Sequence, residues 1–276
     1  MDHLYNNEIS VPDWMAHVRH WGIQSERARQ IGRRSVISYG SHPLNNCDVY
    51  EPEPCDCPAA LLVFLHGGYW YRGDKDANAF VAPAFTRSGI TVALPNYRLG
   101  PEASLAEMNA DVGSSIRWLK ANIYDARSYT GGIWLAGHSA GAHLAALQCT
   151  EAFADPATTD HIRGSVLISG LYALEQLSQC DFLRGKVLLS NDQVEKYSPA
   201  KLTPKNGKQH LAAVGACETA AFGYQRAVLR ESWSASVVTS VDVANSNHFG
   251  VLEEFANPHG EFHRSVLDHI GRVKPL

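Results

Sequence analysis

The sequence predicts an α/β protein: one domain on a mostly parallel central sheet, flanked by helices on both faces. Three observations predict it. From residue 60 onward, short apolar runs alternate with amphipathic stretches. The runs at 60–65 and 89–99 read as parallel strands buried on both faces. At 276 residues and 45% apolar composition, the chain can bury one large core.

Each element follows from local pattern. Residues 8–34 read as a polar-faced helix with Trp14, Val18, Trp21 and Ile31 as its apolar positions and Pro12-Asp13 as its start. "EPEPCDCPAA" (51–60) is a turn-rich surface loop. "ALLVFL" (60–65) and "GITVALPNYRL" (89–99) are buried strands, and "ANAFVAPAFTRS" (77–88) between them has helical spacing, which makes a βαβ unit. An amphipathic helix (108–123), a strand (131–137) and a small-residue helix (140–150) follow. Two further strands (162–169 and 210–216) are separated by a mixed insertion at about 170–208. A helix (221–235), a strand (237–244) and a closing helix (261–273) complete a single domain spanning 1–276, without repeats or low-complexity tracts.

Bulk properties exclude several classes. A net charge of −4 gives no support to nucleic acid or an anionic membrane as partner. "MDHLYNNEISVPDW" lacks the basic and apolar regions of a secretory signal, and no apolar run approaches a membrane span. Cys47, Cys55, Cys57, Cys149, Cys180 and Cys217 are scattered, unlike a disulfide scaffold, and Cys55-Asp56-Cys57 has the wrong spacing for zinc. The expectation is a cytoplasmic protein with reduced cysteines, no cofactor and no metal. Its expected partner is a small molecule, and a homodimer is left open.

"GHSAG" (137–141) carries the chemistry. It lies between an apolar strand and a small-residue helix, the context in which a sharp turn lifts the central Ser139 out of a sheet as a nucleophile. A serine hydroxyl needs a general base, and the base needs an orienting acid, in the chain order Ser, acid, His. His248 in "NSNHFG" follows the strand at 237–244 and fits the base. His143 is one turn beyond Ser139 and should lie along the helix; His259 and His263 flank the last helix as surface groups. Glu218 in "VGACETAAF" follows the strand at 210–216 and fits the acid, with Asp192 and Asp242 as fallbacks. An oxyanion needs preorganised N–H donors. Ala140, after the nucleophile, gives one, and Gly67 and Gly68 in "LHGGYW" let a second backbone approach. Tyr69 and Trp70 would then wall the substrate pocket; the competing reading is that both rings are core packing.

"HGGYW" with "GDK", "NYRLGPEASLAEMNADV" and "GHSAGAHLAAL" together resemble the arylformamidase (kynurenine formamidase) branch of the α/β-hydrolase superfamily, and "YNNEISVPDW" and "YSPAKL" resemble its bacterial members. The resemblance covers nearly the whole chain. It implies the α/β-hydrolase fold, with Ser139 as nucleophile, Glu218 as acid, His248 as base and Gly67, Gly68 and Ala140 as oxyanion donors. It also implies a metal-free hydrolase of aryl formamides such as N-formylkynurenine, a step of tryptophan catabolism. Glu218 departs from the aspartate more usual in these folds. The insertion at about 170–208 is expected to cap the site. Two rivals keep the same residues: a carboxylesterase for small acyl esters, and a related hydrolase recruited to a specialised biosynthetic pathway. A noncatalytic binding protein on this fold would be expected to have lost one of the three site residues.

Overall fold

The computed structural model describes residues 1–54, 60–234 and 236–271. Two short turns of helix, α1 (Asp2–Tyr5) and α2 (Asn7–Ser10), precede the longer α3 (Trp14–Gln30). The helix expected over 8–34 is thus shorter at both ends. Asp13 occupies its N-cap, and Gly32, at φ 99°, turns the chain into a strand. Ile31 lies beyond the helix and is exposed, so it is no part of an apolar face.

The strands are β1 (Arg33–Ser38), β2 (Asn46–Glu51), β3 (Ala60–Leu65), β4 (Ile90–Pro95), β5 (Ile133–His138), β6 (Ile162–Ile168), β7 (Gln209–Gly215) and β8 (Val237–Val243). They form one sheet in the order β1-β2-β4-β3-β5-β6-β7-β8. β1 and β2 are antiparallel additions, and all pairings from β4 to β8 are parallel. The βαβ reading of 60–99 holds for the strands but not for a continuous helix between them. Residues Lys75–Val81 form a 3-10 turn, and only α4 (Ala82–Thr86) is α-helical. Pro83 explains the break, since it has no N–H to bond back and its ring clashes with the carbonyl of residue 79.

The remaining helices are α5 (Leu105–Leu119), α6 (Ala140–Gln148), α7 (Asn191–Tyr197), α8 (Ala220–Ser232), α9 (Gly250–Phe255) and α10 (Glu261–His269). α5 starts at a capping box, in which Ser104 accepts from the Glu107 N–H and Glu107 accepts from the Ser104 N–H. Each face of the sheet has its own apolar layer. Leu61, Val63 and Leu65 of β3 join residues of α5, α6 and α8 such as Val112, Leu144 and Phe222. Leu62 and Phe64 join Phe85 of α4, Phe255 of α9 and Val266 of α10. Each such large side chain, fully buried, contributes about 1.5–3 kcal/mol relative to exposure.

β3, β5, β6, β7 and β8 run parallel, so their C-terminal ends share one edge of the sheet. The segments carrying Gly67, Ser139, Ser169, Glu218 and His248 all leave from that edge, where open α/β sheets place their ligands. Among the described residues no helix is long and apolar enough to cross a membrane. Cys47, Cys149 and Cys180 are buried free thiols, Cys217 is an exposed one, and Cys55 and Cys57 lie outside the described residues, as do half of the expected 51–60 loop and the end of the 261–273 helix.

Candidate active site

Ser139 stands between β5 and α6 at φ 56° and ψ −120°, a conformation that costs energy for any residue with a Cβ. The turn is held by the Ser139 N–H donating to the Ile168 carbonyl at 2.8 Å. The flanking glycines are required by contact: a Cβ on Gly137 would run into the backbone of Gly141, and one on Gly141 would strike the Leu65 carbonyl of β3. α6 therefore starts tight against the sheet, with the free N–H of its first residue, Ala140, beside Ser139.

His248 sits in the turn between β8 and α9. Asn247 shapes that turn by accepting from the N–H groups of Phe249 and Gly250, both at 2.9 Å. Glu218, in the turn after β7, meets His248 with Oε2 to Nδ1 at 2.7 Å, and both side chains are almost wholly buried. Its other oxygen, Oε1, accepts from the Gly215 N–H at 2.7 Å and from the Ser169 hydroxyl at 2.5 Å. The carboxylate thus holds Nδ1–H in place and leaves Nε2 of His248 as the nitrogen free to take a proton. The fallback acids lie elsewhere: Asp242 is exposed and pairs with Arg226 at 2.8 Å, and Asp192 is exposed in the first turn of α7.

Ser139 and His248 line one cavity of about 230 Å³. Gly67 and Gly68 line it too, and a Cβ on Gly67 would lie 3.2 Å from the Ser139 Cβ, so this loop runs directly against the serine. His138 supports the floor. Its Nε2–H donates to the His248 carbonyl at 2.8 Å and its ring lies 4.6 Å from that of His248. Burial, and secondarily the charge of His248, keep His138 well below the ordinary histidine range and therefore neutral.

The two rings after the glycines part company. Tyr69 lines the cavity, with its hydroxyl accepting from Asn7 Nδ2 at 2.9 Å and donating to the Tyr5 carbonyl. Trp70 does not reach the cavity. It is fully buried in the apolar layer under α5 and α6, and its Nε1–H donates to Nδ1 of His143 at 3.1 Å. Adjacent residues at φ 50° and 62° project to different sides of the loop, so one ring faces the cavity and the other faces the core. His143 is likewise a core residue, its Nε2–H donating to the Tyr197 carbonyl at 2.7 Å. His263, expected at the surface, is buried, with Nδ1–H donating to the Phe255 carbonyl at 2.8 Å; His259 is exposed.

The cavity's outer wall comes from an unexpected place. No lining residue belongs to 170–208; that insertion packs Leu171, Leu174, Leu177 and Leu183 into the apolar layer instead. Trp14, Val18 and Trp21, on one face of α3, form the wall together with Phe249, whose ring lies 6.3 Å from that of Trp14 and 5.7 Å from that of Trp21. The i, i+4, i+7 spacing of the three was legible as a helical face, though not which surface it meets. His17 fastens the helix there, with Nδ1 to Glu253 at 2.7 Å and Nε2 near Asn247 Nδ2 at 3.2 Å; the Trp21 indole N–H also donates to Glu253 at 3.1 Å. Asn7, Arg72 and Asn78 add polar groups to the lining, and Arg72 pairs with Glu8.

Fold and relatives first define a class, a hydrolase of the α/β-hydrolase fold. The BD-FAE family model matches residues 47–214, more than half of the chain, and the chain belongs to that family. It is similar to the kynurenine formamidase of Salmo salar, with 27% identity covering 95% of this chain and 90% of the relative. It is also similar to that of Danio rerio, with 24% identity over 93% and 89%. A crystal structure from Silicibacter sp. tm1040, provisionally named a thioesterase, matches with a TM-score of 0.85 at 28% identity, covering 98% of this chain and 99% of the other. The Pyrobaculum calidifontis esterase shares the fold with a TM-score of 0.70 at 21% identity, over 91% and 89%. The chain is an arylformamidase-like α/β-hydrolase.

Proposed function

We propose that this hydrolase uses Ser139 as nucleophile to cleave an aryl formamide such as N-formylkynurenine to the arylamine and formate. The observation that carries the reading is the Glu218–His248 pair at 2.7 Å opening on the same cavity as the strained Ser139. In this reading His248 Nε2 takes the Ser139 proton as Oγ attacks the formyl carbon, and Glu218 stabilises the resulting imidazolium. The oxyanion is met by the N–H groups of Ala140 and the Gly67-Gly68 loop, reinforced by the positive end of α6. His248 then protonates the arylamine as the C–N bond breaks. Water, deprotonated by the same nitrogen, attacks the formyl-enzyme, and the proton returns to Ser139 as formate leaves.

Two features favour a small acyl group on an aromatic leaving group. The cavity, at about 230 Å³, is smaller than the usual ligand pocket of roughly 300–1,000 Å³. Its wall of Trp14, Trp21, Tyr69 and Phe249 offers ring faces and edges to an aryl group. An esterase for small acyl esters is the competing reading, favoured by the isoprenylcysteine methylesterase of Oryza sativa, which is 32% identical over 54% of this chain. Side-by-side kcat/KM values for N-formylkynurenine and p-nitrophenyl acetate separate the two. A ratio strongly toward the formamide is expected, and a ratio toward the ester would assign the protein to the esterases. Ser139→Ala should lose several orders of magnitude of either activity and all labelling by a serine-directed phosphonate.

A further inference from the structure

Ser169 lies outside every motif considered so far. It directly follows β6, is fully buried, and adopts φ 48°, a left-handed conformation uncommon for a residue with a side chain. Its N–H donates to the Ala213 carbonyl of β7 at 2.8 Å, which fixes the bend. Its hydroxyl donates to Glu218 Oε1 at 2.5 Å, the shortest bond that the carboxylate makes. A glutamate has one more rotatable bond than an aspartate, and its terminal torsion is broad. Held only by the Gly215 N–H, its carboxylate could turn about that torsion and carry Oε2 away from the imidazole.

We propose that Ser169 is a positioning residue that makes a glutamate serviceable as the orienting acid: its hydroxyl locks Oε1 so that Oε2 stays on His248 Nδ1. This rests on the serine-hydrolase reading above. The strained backbone at Ser169 has a function under this proposal, because the bend aims the hydroxyl across from β6 to the turn after β7.

The titratable rings packed against this pair are neutral, which leaves the Ser169 hydroxyl and the Gly215 N–H as the groups that hold Oε1. The phenols of Tyr69 and Tyr172 feel the charge of Glu218 and are pushed up chiefly by burial, and His138 beside His248 is held neutral by burial.

The test uses Ser169→Gly and Ser169→Ala in the full chain, with Ser139→Ala and Glu218→Gln alongside. Both Ser169 variants lack the hydroxyl, but only glycine relieves the positive φ. Each should lower kcat by about 10- to 100-fold, the value of a hydrogen bond to a charged group, with KM nearly unchanged. Adding Ser169→Gly to Glu218→Gln should cost little more than Glu218→Gln alone, since the hydroxyl acts through the carboxylate. The proposal is overturned if kcat follows thermal stability rather than the hydroxyl, if the loss falls on KM instead of kcat, or if the two losses multiply. An active Ser139→Ala would instead sink the serine reading itself, and a silent Ser139→Ala with an unaffected Ser169→Gly would sink only the positioning role.

Discussion

The indole of Trp70 and the imidazole of His143 form a buried donor–acceptor pair, Nε1–H to Nδ1 at 3.1 Å, with the rings edge-on at 85°. The bond ties the glycine loop to α6 from beneath, on the side away from the cavity. Trp70→Ala should therefore cost about 3–5 kcal/mol of stability, the usual range for deleting a buried tryptophan. Hydrolysis of an aryl formamide and of a small acetyl ester should fall alike. Thermal unfolding together with the two-substrate ratio checks this; an altered ratio at unchanged melting temperature would place Trp70 in the pocket after all.

Stability should fall in mild acid because of buried imidazoles. Burial pushes His143 down to about 4 and His210 down to about 3. Unfolded histidine binds its proton near pH 6.5, so between that pH and about 4 the unfolded chain carries protons that the folded chain refuses. The stability is full above about pH 6.5 and drains away as pH falls, by ~3 kcal/mol for His143 alone over that window. Denaturant titrations at pH 7.5 and 5 would register it. Equal midpoints at the two pH values would mean these rings are not held neutral.

Glu218→Gln should lower kcat by about 10³- to 10⁴-fold while leaving the fold intact, because the amide favours the wrong tautomer of the base. Asp192→Asn and Asp242→Asn should leave turnover within twofold or so, as expected of exposed charges. Steady-state kinetics on the three variants decides among them.

Trp14 is the ring on which substrate selectivity should depend. It is only partly buried, stacks on Phe249 and faces the cavity. Trp14→Ala should weaken kcat/KM for an aryl formamide by roughly 2- to 12-fold, matching about 0.5–1.5 kcal/mol for an aromatic contact. A p-nitrophenyl-free acetyl ester should be affected less. Equal losses on both substrates would deny the wall its role.

How much of this was legible depended on which physical signal each element leaves. β3 to β7 are buried on both faces or nearly so, and such strands write themselves as apolar runs; β8, the opposite edge strand, showed itself by its alternating valines instead. β1 and β2 escaped because β1 is an edge strand with mostly exposed side chains and β2 interleaves polar residues with buried ones. The surroundings of Ser139 were readable since contact forces glycine at 137 and 141. The destinations of Tyr69 and Trp70 were not, because two neighbouring rings at positive φ carry no mark of which side each faces. Ser169 was invisible for a related reason: a lone serine after a strand resembles any other until its bond to Glu218 is seen.

The first residues of the chain close contacts with some of the last. The Thr219 hydroxyl bonds to the Leu4 carbonyl, Gln225 to the Tyr5 hydroxyl, and Asn247 and Glu253 to His17, across 215 to 236 positions. During synthesis the amino-terminal segment leaves the ribosome first, yet it has no docking place until residues 219–253 have followed it out. A nascent chain stalled before that point carries Ser139, the glycine loop and Trp14, Val18 and Trp21, but lacks Glu218, His248 and Phe249. Such far-reaching closures are slow to form and leave Trp14, Trp21 and Tyr5 unsheltered meanwhile. The cavity is therefore assembled only after residue 253 has been made, and until then its aromatic wall is an exposed apolar surface.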